Sequence, residues 1–244
     1  MTNFTAKNIF KSYDNRRILS GIDVSFSRDQ IVGILGPNGA GKTTLFSILT
    51  GIIRPDSGSI TLGNIDITRF PVHKRAQSGL IYLPQDSSIF RGLSVENNIR
   101  AILQIHRHNN KNNDDDIENS LENLLDAFSI QNIRKSKATS LSGGERRKVE
   151  IARALAANPR YLMLDEPFSG VDPISVCEIT EIMYRLKSMG IGVIITDHNV
   201  RETLPILDNG YIIANGRVLF HGSPTEILNN EESRRLYLGD KFTI

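Results

Sequence analysis

A single cysteine, Cys177, stands in the 244 residues, which excludes an internal disulfide framework and a cysteine-rich metal site. That usage fits a reducing compartment, and the cytoplasm is the expected one. An excess of one charge is missing too. Lys+Arg 29 against Asp+Glu 27 leaves +2, too even to argue for nucleic acid on charge grounds. No stretch approaches the ~18 apolar residues of a membrane span, and the opening MTNFTAKNIFKSYD lacks the apolar core of a secretory signal. The densest basic run is Arg146-Arg147-Lys148, short of the roughly 4–8 residues that dock a protein electrostatically on lipid. Work at a membrane would therefore need another protein as tether. There is no internal repeat. What remains is a soluble globular balance, 39% hydrophobic and 23% charged at 27.2 kDa, expected to form one compact domain with subdivisions.

Patterning along the chain predicts strands at 2–10 and 17–27, broken by Tyr13-Asp14-Asn15, and a buried strand at 30–35. A helix over 42–50 stops at Gly51; a hairpin near Gly63-Asn64 and a short strand at 79–83 follow. SVENNIRAILQI and IENSLENLLDAF are helical by spacing, and the polar tract HRHNNKNNDDD (106–116) between them reads as a solvated connection. Strand and helix then alternate: strand 161–165, helix 174–189, strand 192–196, helix near 199–206, strands 210–214 and 217–220, and C-terminal helical turns. The expected fold is α/β, a P-loop NTPase core with an antiparallel β subdomain and a mostly helical insertion. Residues 1–85 and 156–244 would form the core and 86–155 the helical part.

GPNGAGKT, from Gly36 through Pro37, Asn38, Gly39, Ala40, Gly41 and Lys42 to Thr43, satisfies G-x-x-x-x-G-K-[ST] between an apolar strand and a helix, with Thr44 next. Glycine lets the backbone wrap an anion so that successive N–H groups point inward, and the helix that follows adds its positive end. Lys42 can reach β and γ phosphates, and the Thr43 hydroxyl can ligate Mg²⁺. YLMLDE supplies the partner acids: Asp165 to hold the metal, usually through water, and Glu166 to orient and polarise attacking water. Together the two motifs imply nucleoside triphosphate hydrolysis.

LSGGERRKVEIARALAA opens on S-x-x-E, an ordinary capping box of Ser142 and Glu145. Yet Gly143-Gly144 in a first helical turn costs about 1 kcal/mol per glycine against alanine, and two bare positions at a helix N-terminus also make an open anion site. GPNGAGKT, LSGGE and YLMLDE in this order resemble the ATP-binding-cassette (ABC) ATPases over essentially the whole chain. The resemblance implies that Ser142, Gly143 and Gly144 of one subunit close on the γ-phosphate held by the P-loop of another, so ATP with Mg²⁺ sits inside a homodimer or a pair with a similar ATPase. It also assigns Tyr13 to stack on adenine, Gln85 to contact Mg²⁺ and the attacking water, Asp172 to cross to the partner, and His198 to sense the γ-phosphate. By themselves, Tyr13 reads equally as packing filler and His198 as structural. LSGGE has glutamate where many family members have glutamine.

Ile89 and Phe90 interrupt the polar loop DSSIFRGL, and plugging the junction between subdomains is one reading of them. In ABC transporters this region receives a short helix of the membrane subunit, so the resemblance makes Phe90 an aromatic anchor and Arg91 a polar contact for two transmembrane permease subunits. YLPQDSSIFRGLSVENNI, DEPFSGVDPISV, TDHNVRETL and HGSPTEIL resemble most the ATPases of bacterial lipopolysaccharide export. That implies a cytoplasmic protein peripheral on the inner membrane, without membrane insertion and without nucleic acid. The branched-chain amino-acid importer ATPases are the nearest alternative. A soluble ABC protein acting on nucleic acid is a further one, disfavoured by the single P-loop and by the absence of zinc modules and sustained heptads.

Overall fold

Alternation decides the architecture: in the central strands, successive side chains enter two different hydrophobic cores. The computed structural model describes residues 3–110, 114–198 and 200–238. β1 (Phe4–Tyr13) and β2 (Arg16–Phe26) form an antiparallel hairpin that turns on Asp14 and Asn15, both at positive φ. β3 (Ile31–Leu35) leads through the glycine-rich loop into α1 (Lys42–Thr50). β4 (Ser57–Leu62) and β5 (Ile65–Asp66) form the expected hairpin. Then come α2 (Val72–Gln77), β6 (Leu80–Leu83), α3 (Val95–Asn110), α4 (Asp114–Ala127) and α5 (Gly143–Leu155). β7 (Tyr161–Asp165), α6 (Pro173–Ser188), β8 (Gly192–Thr196), α7 (Val200–Thr203), β9 (Asn209–Ala214), β10 (Arg217–Gly222), α8 (Pro224–Asn229) and α9 (Glu231–Ser233) follow.

Two sheets result. One is four-stranded and antiparallel, β2-β1-β4-β5; the other is six-stranded, β10-β9-β3-β8-β7-β6. In the second, β9, β3, β8, β7 and β6 run parallel and β10 closes one edge antiparallel. The fold is the expected α/β. Val32, Ile34, Met163 and Ile194 pack with Phe4, Phe26 and Phe46 beneath the antiparallel sheet. Ile31, Leu35, Leu162, Leu164, Val193 and Ile195 pack on the other face, with Val149, Ile179 and Met183 of the helices. Burial on both faces is why these strands read as continuous apolar runs. Because they run parallel, Leu35, Leu83, Asp165 and Thr196 all end at one edge of the sheet, where α/β folds place their ligands.

Two differences from the sequence expectations have physical causes. The tract 106–116 is largely helical: α3 runs through Asn110 and α4 starts at Asp114, while 111–113 lie outside the described residues. Buried Val95 and Ile99 on α3, and Ile117, Leu121 and Leu125 on α4, nucleate helices that the polar residues then extend. α2 was not expected at all. VHKRAQ has no apolar period, and tertiary hydrogen bonds from Arg75 hold it.

Candidate nucleotide site

The loop from β3 to α1 folds as its glycines require. Gly36, Gly39 and Gly41 sit at φ 148°, 78° and 102°, a region L side chains rarely adopt. A Cβ on Gly36 would fall 2.0 Å from the Ile213 carbonyl oxygen, so this glycine also lets the loop lie against β9. Nothing stands within 4 Å of a Cβ on Gly39; Asn38 and Gly39 are exposed, and Ala40 is buried beneath them. Lys42 arches back over the loop and donates from Nζ to the carbonyls of Gly36 (2.6 Å) and Pro37 (3.0 Å). Burial pushes its pKa down, while the carboxylates of Glu166 and Asp197 pull it up. A half-buried ammonium resting on two neutral carbonyls can exchange them for the oxygens of a polyphosphate. Thr43 is exposed and Thr44 half-buried in the first turn of α1.

Across the edge of the sheet, both oxygens of Asp165 are held. Thr196 Oγ1 donates to Oδ1 at 2.5 Å and Tyr82 Oη donates to Oδ2 at 3.2 Å. Burial and the nearby Asp165 charge raise the Tyr82 phenol to about 12, which keeps it a donor. Glu166 leaves β7 with φ 44°, anchored by its N–H on the Thr196 carbonyl at 2.9 Å. A left-handed residue with a side chain stores strain on the order of 1–3 kcal/mol, and such residues cluster at functional sites. Its Oε2 accepts from Gln85 Nε2 at 2.7 Å and lies 3.2 Å from His198 Nδ1. Lys42, Gln85, Asp165, Glu166 and His198, which come from four separate loops, are thus brought to one edge. A strand–glycine loop–helix facing a strand-end acid pair defines the P-loop NTPase class.

Ser142, Gly143 and Gly144 occupy a different place. The capping box is real: Ser142 Oγ accepts from Glu145 N at 3.2 Å, and Glu145 Oε2 accepts from Ser142 N at 2.9 Å. The two glycines differ in kind. A Cβ on Gly144 would fall 2.0 Å from Ser175 Oγ, so packing against α6 demands glycine there. Gly143 is exposed, with the Gly170 carbonyl oxygen 3.6 Å from its would-be Cβ; among the described residues nothing requires its bareness. Ser175 Oγ in turn donates to Asp172 at 2.6 Å, and Asp172 caps α6 through the Ile174 and Ser175 amides at 3.1 Å each. Among the described residues, no hydrogen bond or ion pair joins this triplet to the Lys42 loop.

Tyr13 lies at the end of β1, partly exposed, with Lys11 Nζ 5.4 Å over its ring. Phe90, 46% exposed, lines an apolar groove of about 740 Å³ with His73, Ile81, Ile102, Ile105 and Arg153, whose guanidinium lies 4.9 Å over its ring. Arg91 faces a smaller cavity of about 270 Å³ with Arg146 and Thr139 instead.

Residues that the motifs did not single out connect these places. Buried Glu150 accepts from Ser87 Oγ and Ser88 N, both at 2.8 Å. Arg147 donates to the Pro84 carbonyl at 3.1 Å, and Arg153 to the Ser88 carbonyl and hydroxyl at 2.8 and 2.6 Å. The signal was a stripe of charged residues at spacing three on α5, which fixes the segment on both sides of Gln85.

Comparison with known proteins agrees with this geometry. The family model described as ABC transporter matches residues 19–169. The lipopolysaccharide export system ATP-binding protein LptB of Escherichia coli (strain K12) is 50% identical over 244 residues, 100% of both chains. An uncharacterized ABC transporter ATP-binding protein of Rhizobium meliloti (strain 1021) is 53% identical over 239 residues, 98% of this chain and 87% of that one. The ADP conformation of MJ1267, an ATP-binding cassette of an ABC transporter, superposes with a TM-score of 0.85 at 26% identity, covering 98% of this chain and 100% of that one. The chain belongs to the ABC transporter ATP-binding family. It is an ATPase and binds nucleotide.

Proposed function

We propose that this protein is the ATP-hydrolysing subunit of a lipopolysaccharide exporter, a homodimer that closes around two ATP and drives two transmembrane permease subunits from the cytoplasmic face of the inner membrane. Likeness to LptB along the full length of both chains is the observation that supports this cargo. Consistent with a peripheral subunit, no helix of the described residues is long and apolar enough to cross a membrane.

The residues present fit ATP with Mg²⁺. Gly36 to Thr44 would cradle the phosphates, Lys42 exchanging its carbonyl partners for phosphate oxygens. Thr43, Gln85 and Asp165 would hold Mg²⁺, an oxygen-rich donor set of the kind that ion prefers. When bound, the ion would neutralise charge on the β and γ phosphates. Thr196 and Tyr82 fix the Asp165 carboxylate in one orientation. Glu166, steadied by Gln85 and His198, takes the proton of the attacking water, and His198 meets the γ-phosphate. Tyr13 stacks on adenine.

Closure follows from Gly143. Among the described residues nothing packs on it to need its bareness, whereas a partner's γ-phosphate needs an open helix N-terminus. Asp172, on the same face, reaches the partner. ATP drives closure because it binds the closed pair better than the open one, and hydrolysis removes that preference. Phe90 in its groove and Arg91 beside it receive the permeases.

The test is reconstitution with the permease pair of lipopolysaccharide export. ATP-dependent release of lipopolysaccharide from proteoliposomes supports the reading. An active complex with a branched-chain amino-acid permease instead, or nucleic acid in the pull-down, overturns the cargo.

A further inference from the structure

Arg75 is buried to 1% exposure although it lies on the short polar helix α2. Among the described residues, its guanidinium donates to backbone carbonyls alone. Nη1 reaches the carbonyls of Ile48 and Leu49, both at 2.7 Å, Nε that of Phe70 at 3.0 Å, and Nη2 that of Thr68 at 3.1 Å. Ile48 and Leu49 are in the last turn of α1, where carbonyls lack i+4 partners, Ile48 accepting from the Gly51 cap amide at 3.2 Å, and a cation suits the dipole. Gly51 makes the room: a Cβ there would fall 2.8 Å from Arg75 Nε and 2.8 Å from the Phe70 carbonyl oxygen. Burial alone brings the guanidinium down to about 10, and among the described residues no carboxylate pairs with it. A buried cation without an acid is costly, so the four carbonyls must be kept in place around it.

The opposite side of α2 has another role. His73, Ala76 and Gln77 line the apolar groove that also holds Phe90. One six-residue helix therefore forms a wall of the groove and grips the carboxyl end of α1, whose amino end is Lys42 and the phosphate loop.

We propose that Arg75 is a positioning residue that couples occupation of the groove to the phosphate loop, through α2 and along α1. A segment seated in the groove shifts α2; the guanidinium carries the shift to the last carbonyls of α1; the rigid helix moves its N-terminus against the phosphates. The inference rests on the reading that the groove receives a permease segment. Its measurement needs no permease, because coupling is reciprocal: if the groove influences nucleotide binding, nucleotide must influence α2. α2 also leads into β6 and Gln85, a second route that an Arg75 substitution leaves intact.

The experiment is hydrogen exchange on Glu166→Gln protein with and without ATP and Mg²⁺, alone and combined with Arg75→Lys. Lysine keeps the charge and loses the fork. Amides of 72–79 should exchange about fivefold or more slower with nucleotide, in line with ordinary coupling energies. With Arg75→Lys that response should shrink severalfold, to what the β6 route alone carries, while residues 36–44 stay protected. Thermal unfolding of both proteins separates this from general loosening, which would raise exchange equally with and without nucleotide. If Arg75→Lys does not fold, Arg75→Gln, which keeps donors without charge, takes its place. An α2 indifferent to nucleotide in the Glu166→Gln protein overturns the proposal, as does an Arg75 variant that responds like its parent. Failure to assemble with a lipopolysaccharide permease pair would refute the cargo and leave this result standing.

Discussion

The phosphate loop and the Phe90 groove are built by opposite means. The loop is contiguous, Gly36 to Thr44, and its shape follows from glycines at positive φ and one lysine folded back on Gly36 and Pro37. The groove is assembled from α2, β6, α3 and α5, and no local run of sequence resembles it. On the proposed reading, a ligand as invariant as a triphosphate is met by a fixed loop, whereas a protein partner is met by a surface that several elements must agree to form. The two should therefore fail differently when mutated.

The largest effect is expected at the loop. Lys42→Ala should lower ATP hydrolysis by about 100-fold or more, the scale for losing a charged donor at a reacting group, with no change in thermal unfolding. A loss of only a few-fold would mean that Lys42 is not the phosphate clamp. At the groove, Phe90→Ala should abolish co-purification with the permeases, as truncating an aromatic anchor does. ATPase of the isolated chain should stay within about twofold of the parent. An equal loss of both would merge two regions that the structure keeps apart.

The glycine pair sharpens the comparison within one motif. Gly144→Ala drives a Cβ into Ser175 Oγ and should destabilise the monomer by about 1–3 kcal/mol, the usual cost of overpacking. Gly143→Ala meets no atom closer than 3.6 Å, so the monomer should hold its stability, measured by chemical denaturation, while ATP-dependent dimerisation is lost.

The smallest effect is expected at the start of α3. Burial opposes the charge of Glu96, but hydrogen bonds and charge from Lys135 and Arg134 outweigh it and hold the carboxyl below the ordinary range. A depressed carboxylate contributes stability at neutral pH that is lost as pH falls through its folded value. Glu96→Gln should therefore flatten the acid limb of the stability profile below pH roughly 5; an unchanged limb would assign it to other acids.

The same contrast explains what could be read from the chain. GPNGAGKT and YLMLDE compress chemistry into neighbouring residues, so the nucleotide loop and its acid pair are legible without structure. Thr196 and Tyr82 on Asp165 are not, since they arrive from the adjacent strands β8 and β6. Strand alternation revealed the α/β fold, while α2, held by a buried arginine rather than an apolar stripe, left no periodic trace. The polar tract concealed the length of α3 and α4 because the buried residues described on them, Val95, Ile99, Ile117, Leu121 and Leu125, lie outside it.

The claim on which the account turns is that one chain's nucleotide is closed over by the exposed Gly143 of another. Sedimentation or scattering of Glu166→Gln protein, with ATP and Mg²⁺ and then without them, measures it most directly. The account predicts a dimer with nucleotide that disperses when ATP is removed or Gly143→Ala is added. A protein that holds ATP and stays monomeric throughout would contradict it.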